Sequence, residues 1–465
     1  MAPASVTVEY LLEDDEHLPS YVPRLHRSLS ARLVPWVHER IESGVGETVG
    51  LHDVAPTEWP VFTAVFYLRA TEVLAERGVD VRYAGPAVEA ARDLLLDPAH
   101  HSWVRRHWGD DYLHDRNIFF RALLVSGLTS YVALHEGTFG GDASEERATL
   151  IDQLDSLSAD LDGSPHGVLE DYPGETYPID VLSAVGYVQH ADEVLGTDHS
   201  AFIQRARRAF VSPYDDELGL PRFRVFLPAD GAFPQDLQPG RGIGTSWIAM
   251  VAPHLWPDDA ARWFDQHDRH FWQDQGWAQG YREVQRGGPL DWGEWSMEID
   301  AGPILDGFGT AASAFGIGAA IVNGRLDHAR TLSAQMLAVS APDAWGGLRA
   351  PAILSSAVSR GHAPLLGEAA LLSFVVLEPA EHVEITRGGS ATPLVWTLLL
   401  GELLLFTLLA LLVLRRSRRR HGAAALALAG LSLFFVSDAS LIALSLALVA
   451  WLTGKPRQRA TITSH

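Results

Sequence analysis

Apolar and polar positions along residues 1–391 recur at helical spacing, and strict apolar–polar alternation is scarce. Six segments are apolar on nearly every face. They begin near Glu58 (EWPVFTAVFYLRATEVLAER), Asn117 (NIFFRALLVSGLTSYVALHEG), Pro178 (PIDVLSAVGYVQHADEVL), Thr245 (TSWIAMVAPHL), Gly302 (GPILDGFGTAASAFGIGAAIVNG) and Pro364 (PLLGEAALLSFVVL), at steps of 59, 61, 67, 57 and 62 residues. Before each lies a charged, amphipathic segment, at 23–41, 86–96, 145–159, 199–210, 258–272 and 326–339. A helix apolar all round is buried, whereas an amphipathic one covers a surface. Twelve such helices at a steady period predict an all-α chain folded as an (α/α)6 toroid. Its six helical hairpins would place six inner helices inside six outer ones. An open solenoid is the competing arrangement, but its usual repeats are ~33–47 residues.

The pattern changes after residue 391, dividing the chain into a body at 1–391 and a tail at 392–465. Residues 394–414 carry a single charge, Glu402, and match the ~20 residues that cross a bilayer core. Arg415–His421 (RRSRRRH) follows, and then a second apolar stretch, about 423–452, broken at Ser437 and Asp438. Two C-terminal transmembrane helices are therefore expected, with the bilayer as partner. Counted from the arginine loop, Glu402 and Asp438 reach similar depth at about 1.5 Å per residue and would face each other. Alternatively, Asp438 sits in a polar break near an interface.

The loops before the apolar segments concentrate unusual residues: Thr57-Glu58-Trp59-Pro60, His114–Asn117, Asp171–Tyr177, Gly240–Trp247, Glu298–Asp300 and Arg360–His362. In a toroid these loops converge on one end of a central cleft, the natural place for a substrate. Some have plain structural readings. Thr57, with Glu58 and Pro60, suits a helix cap, and Asp300 would cap a helix starting at Gly302.

Three runs carry a resemblance: Asp115–Leu134, Gly167–Phe210 and Asp306–Ala320 (DGFGTAASAFGIGAA). In order and spacing they resemble the linalool dehydratase/isomerase family, over roughly residues 58–377. The resemblance implies an (α/α)6 toroid, related in shape to many glycoside-active toroids, with its active site at the loop and helix 167–180. Where that family uses two cysteines, this chain has Glu170 (or Asp171) and Asp180. The family's histidine on the second inner helix falls near Leu123. What the resemblance carries over is thus the location of a site, not a thiol mechanism.

The densest acidic cluster lies in that segment: Glu170, Asp171, Glu175 and Asp180, with Tyr172 and Tyr177 interleaved. Carboxylates sharing a low-dielectric cleft repel, so some pKa values rise. Pairs with separated values supply a general acid and a general base. Glu175, Asp180 and Glu170 are the catalytic candidates. The bland reading leaves Glu170 and Asp171 solvated and Glu175 capping a helix. Asn117, Tyr172, Tyr177, Trp247, Glu58 and Tyr281 are candidate substrate contacts. Asn117 either orients substrate or caps its helix. Trp247, Tyr281, Trp292 and Trp295 suit either a sugar or an isoprenoid, or else pack in a core.

Composition narrows the chemistry. The chain has no cysteine, which excludes disulfides, thiolate metal sites and thiol nucleophiles. His100, His101, His107 and His114 lack a metal-type pair on one helix face, and nothing calls for a metal or cofactor. The body holds 28 basic and 56 acidic residues, which argues against nucleic acid. The expected partner is a small-molecule or glycan substrate. Two classes stay open. One is an enzyme with carboxylate acid/base chemistry, acting as a lyase or hydratase-isomerase on an amphiphilic alcohol, or as a hydrolase or lyase on a glycan. The other is an inactive ligand-binding module at the membrane.

Topology signals conflict. Five arginines at Arg415–Arg420 place the loop in the cytoplasm and the body outside. Residues 1–24 show neither a basic n-region nor an apolar h-region. An extracytoplasmic body with a further segment upstream of the given start is the reading favoured here.

Overall fold

The computed structural model describes residues 3–416, apart from 15–16, 212–214, 229–231, 233, 289–292 and 344. It is mostly helical. In chain order the helices are α1 (Pro3–Leu12), α2 (Tyr21–Glu42), α3 (Val54–Thr57), α4 (Trp59–Glu76), α5 (Gly85–Leu96) and α6 (Ser102–Trp108). Then come α7 (Ile118–Leu134), α8 (Ser144–Gly163), α9 (Pro178–Leu195), α10 (Ser200–Ala206), α11 (Gly242–Leu255) and α12 (Pro257–Phe271). The last are α13 (Thr310–Val322), α14 (Leu326–Ser340), α15 (Arg349–Val358), α16 (Leu366–Val375) and α17 (Pro393–Arg416).

Five of the six expected apolar helices begin within three residues of their expected starts. Prolines at the first turns of α4, α9 and α12 set φ for the helix and leave no N–H to satisfy. Gly196, at φ +71°, ends α9 in the left-handed conformation that glycine adopts freely. Along α7 nearly every residue is buried. In contrast, α12 buries Trp263, Phe264, His267 and Phe271 and turns most of its Asp and Arg side chains outward.

The apolar helices pack in sequence: α4 on α7, α7 on α9, α9 on α11, α11 on α13 and α13 on α16. Helix α16 returns to α4, so the circuit of contacts closes. The amphipathic helices α5, α8, α12 and α14 each pack on a member of that circuit. Distant parts of the chain are tied by Arg32 of α2, whose guanidinium donates to both oxygens of buried Glu368 of α16 at 2.6 and 2.8 Å. Bidentate geometry of this kind is among the stronger polar contacts.

Two local expectations need correction. The segment 199–210 is a short helix, α10, followed by a 3-10 turn at Arg207–Phe210. No helix starts at Gly302. The chain there forms an antiparallel sheet, and α13 begins only at Thr310. The described residues hold eight short strands: β1 (Glu175–Thr176), β2 (Arg224–Phe226), β3 (Gln235–Gln238), β4 (Trp272–Asp274), β5 (Gln279–Tyr281), β6 (Trp295–Glu298), β7 (Gly302–Leu305) and β8 (Phe308–Gly309). They pair as β1-β2-β3, β4-β5 and β6-β7-β8. Gly302 at φ +65° lies outside the helical region, Pro303 pairs with Met297 across the sheet, and Asp300 occupies the β6–β7 turn instead of a cap.

Among the described residues, Ile118–Phe139 alone is long and apolar enough to cross a membrane, with mean hydropathy 1.4. Yet 94% of that stretch is buried by neighbouring helices. The expected span at 394–414 falls on α17. The one at about 423–452, with Asp438, lies outside the described residues.

Packing within the circuit is tight at α13. A methyl group on Gly316 would meet the Tyr281 ring at 2.3 Å. We expect Gly316→Ala to destabilise the protein by about 1–3 kcal/mol through overpacking, seen as a lower thermal midpoint. An unchanged midpoint would show that Tyr281 can step aside.

Candidate functional site

Four carboxylates from separate segments act on one another beside the N-terminal ends of α4 and α9. Glu58 occupies the N-cap position of α4 and is buried. Asp180 lies in the first turn of α9, partly buried. Asp171 is buried in the loop before β1. That loop is held by its own backbone: the Asp171 and Tyr172 N–H groups donate to the Glu175 carbonyl, and Glu175 N–H donates to the Tyr172 carbonyl. Pairing of β1 with β2 fixes it further, as does Leu227 N–H on the Gly174 carbonyl at 2.8 Å. One Asp171 oxygen accepts the Tyr177 N–H. The other, Oδ1, is buried without a partner among the described residues. Asp300, exposed in the β6–β7 turn, is the fourth.

Burial and mutual repulsion raise these groups. Burial, then Asp300 and Asp180, pushes Glu58 well above the usual carboxylate range. Asp171 rises likewise through burial and Asp180, against the hydrogen bond from Tyr177. Asp180 is pushed up to about 8 by burial and by the Asp300 charge. Burial and Glu298 move Asp300 upward too, while Arg241 opposes them. Asp300 is the most open to solvent and the nearest to a cation, so it is the member best able to carry charge at neutral pH.

A buried arginine positions the Asp300 turn. Arg241, at the N-cap position of α11, donates from Nε to Glu283 Oε1 at 2.9 Å and from Nη2 to Glu298 Oε2 at 3.0 Å. The same Glu298 oxygen accepts the N–H groups of Asp300 (2.9 Å) and Ala301 (2.8 Å). The second Glu283 oxygen accepts Ile243 N–H at 3.2 Å, and the Arg241 guanidinium lies over the Phe223 ring at 4.1 Å.

Deeper along the same helices the side chains turn aromatic. Phe62 and Phe66 of α4, Trp247 of α11, Phe315 of α13 and Phe374 of α16 form a contiguous set. Its ring-centroid distances run from 4.3 Å (Phe315–Phe374) to 6.4 Å (Phe66–Phe315). Phe62 and Trp247 keep partial exposure. Further on, Glu72 accepts from Arg69 (2.7 Å) and Ser130 (2.7 Å) and pairs with His190 (2.9 Å), which binds the C-terminal halves of α4, α7 and α9 together.

The sequence candidates are distributed as follows. Asp180 and Glu58 join Asp171 and Asp300 in the acidic cluster. Glu170 instead pairs with Arg116 at 3.1 Å, and Glu175 faces Arg224 at 3.8 Å. Asn117 holds the N-cap position of α7, but its side chain makes no cap. Its amide donates to the Tyr112 carbonyl, and its Oδ1 is buried without a partner among the described residues. Tyr177 precedes α9 and packs edge-on to Phe223, while Tyr172 packs edge-on to His107. Trp247 belongs to the aromatic set. Tyr281 stands apart: it is fully enclosed, packed on His267 and Trp272, with its hydroxyl on Asp268 at 3.3 Å. Trp295 is 69% exposed on the outer surface, so it forms no internal wall. Trp292 lies outside the described residues.

Sequence reasoning missed Glu283 and Tyr187. Glu283 had no signal, because its partner is 42 residues away in the chain. Tyr187, on α9, feels the Asp180 charge, and its position two turns beyond Asp180 on one helix face was a usable clue. Among the described residues no group of three His, Asp or Glu side chains takes a metal-holding arrangement. No protein-family model matches the chain, and no characterised protein matches its sequence.

Proposed function

We propose that the body is an (α/α)6 toroid held at a membrane, and that its acidic end is the active site of an enzyme acting by carboxylate acid/base chemistry on an amphiphilic alcohol. The observation carrying this reading is the split environment of Asp180 and Asp300. Asp180 is the more enclosed of the two and is pushed up to about 8; Asp300 is the more open, is pushed up only to about 6, and feels the Arg241 charge. Such a pair gives an acid and a base at one pH. In an alcohol dehydration Asp180 would protonate the departing hydroxyl, released as water, and the Asp300 carboxylate would take a proton from the neighbouring carbon, leaving an alkene. Hydration is the reverse.

The toroid reading is supported by the closed circuit of contacts. Partial exposure of Phe62 and Trp247, on helices flanked by neighbours on both sides, supports an accessible interior. Those aromatic faces suit an isoprenoid or acyl chain. The resemblance to linalool dehydratase/isomerase enzymes points to the same segment, 167–180. Membrane attachment is supported by α17. Its backbone runs for 24 residues, about 36 Å, and its first part, Pro393–Leu404, is apolar. Val395 and Leu399 are buried at its start, next to α14. Trp396, Leu400, Leu404 and Leu408 form an exposed stripe at four-residue spacing.

A binding module remains the second reading, favoured by the pairing of Glu170 and Glu175 with arginines. The two readings separate in one assay. The full chain in detergent is given prenyl and fatty alcohols, and in parallel oligosaccharides, with product followed by mass. Alkene or isomerised alcohol supports the proposal. Saturable binding without turnover supports the module, and sugar cleavage alone overturns the substrate class.

A further inference from the structure

The β6–β7 hairpin has its polarity reversed. A half-buried antiparallel pair normally turns apolar residues inward and polar ones to water. Here Trp295 and Met297 of β6 point outward, 69% and 53% exposed, while Glu298 turns in to Arg241. The register sets Trp295 opposite Leu305 and Met297 opposite Pro303. Directly opposed residues share a face, so these four side chains make one apolar outer face. Leu305 is 43% exposed on it, and Ile299 in the adjoining turn is 39% exposed. An outward apolar patch of this kind signals a surface that something covers.

What covers it is indicated by the neighbouring elements. Trp277, in the β4–β5 turn, donates from its indole to Asp306 Oδ2 at 3.3 Å, immediately after Leu305. The carbonyl of the same Trp277 accepts the N–H of Leu394 in the first turn of α17 at 2.8 Å. Gln335 locks the arrangement: it bonds the Gln279 backbone on both sides (3.0 and 2.6 Å) and accepts from Thr392 at 3.0 Å. The apolar hairpin face is thereby fixed beside the root of the exposed α17 stripe. Trp277, Trp295 and Trp396 are all partly or largely exposed there, and tryptophan favours the bilayer interface.

We infer that the outer face of the β6–β7 hairpin is a membrane-contact surface, lying in the interfacial layer of the bilayer that α17 enters. The inference rests on the membrane reading of α17 above. Its consequence is functional. The hairpin's own turn carries Asp300, so the acidic cluster opens beside the lipid, and an amphiphilic substrate reaches it laterally from the leaflet.

The absence of cysteine allows a direct test. Single cysteines at Met297, Leu404 and Glu145 each take one environment-sensitive fluorophore on the full chain, reconstituted in phosphatidylcholine nanodiscs with or without spin-labelled lipid. Interfacial elements sit about 5–10 Å into the headgroup and acyl boundary. The label at 297 should therefore be quenched several-fold more strongly than the one at exposed Glu145, and the label at 404 should be quenched as well. Quenching at 404 without quenching at 297 overturns the hairpin surface alone. Quenching at neither overturns it together with the anchoring of α17. A label at 297 that is shielded in detergent, with the protein at twice its monomer mass, also overturns it, because a second copy then covers the face.

Discussion

Asp180→Asn is expected to yield a protein that is more stable at neutral pH and nearly inactive. The sign follows from the proton. An unfolded chain releases it near the ordinary value of 3.8, whereas the folded protein holds it until about pH 8. Between those values the folded state binds the extra proton, so stability falls as pH rises from about 4 to about 8, and the loss is complete above that range. Asparagine resembles the neutral acid and has nothing to ionise. The full displacement would be worth roughly 6 kcal/mol at ~1.4 kcal/mol per pH unit. Asp180 keeps partial contact with solvent, which reduces the expected gain to about 2–3 kcal/mol. Thermal midpoints of the variant and the parent should coincide near pH 4 and separate progressively to pH 8. A constant difference across that range would show that Asp180 is ionised throughout. On the proposed reaction the same variant should lose about 10²–10⁴-fold in rate, the usual contribution of a positioned acid. Parental turnover would remove Asp180 from the mechanism.

The helical part of the fold was legible because its signal is local. Apolar residues at 3.6-residue spacing mark a helix whatever surrounds it, and α4, α7 and α9 begin at or within a residue of their expected starts. The sheet at 295–309 was not legible in the same way. Its strands span two to four residues, its alternation is inverted, and the glycine-rich run at 306–309 adjoins a true helix, so the helical pattern seemed to extend back to Gly302. Acidic residues posed a different difficulty. Asp180 stood out as one acid a turn inside an apolar helix. Glu170 and Glu175 gave no such local mark, and only the fold brings Arg116 and Arg224 to them from other segments. Spacing in a sequence shows where charges are dense. Which of them meet a cation depends on contacts between distant segments.

Glu283→Ala should be the most damaging substitution near the site, while Glu283→Gln should be far milder. Glu283 is completely buried and Arg241 nearly so, with 4% of its side chain exposed. Truncation to alanine removes the Glu283 carboxylate from buried Arg241 and strands the Ile243 N–H, and breaking a buried pair in this way costs about 3–5 kcal/mol. Glutamine keeps its carbonyl oxygen for one of the two donors and fills the same space, losing the second acceptor and the charge. Burial pushes Glu283 up to about 7 even though Arg241 pulls it down. Below that value the parent carries a neutral side chain at 283, and glutamine should match it. Between the ordinary value of 4.5 and about 7 the folded parent keeps a proton that the unfolded chain has released, so the parent loses stability as pH rises and the Gln variant should gain relative to it, with no further change above that range. Chemical denaturation at pH 5.5 and pH 8.5 measures both effects. The consequence reaches the chemistry through Glu298, which holds the Asp300 turn and is itself held by Arg241. If that chain of contacts sets the base, Glu283→Gln should move the acidic limb of the pH–rate profile, where Asp300 gains its proton, while leaving the fold intact. A profile superimposable on the parent's, in a variant of normal stability, would show that the Arg241 network supports structure only.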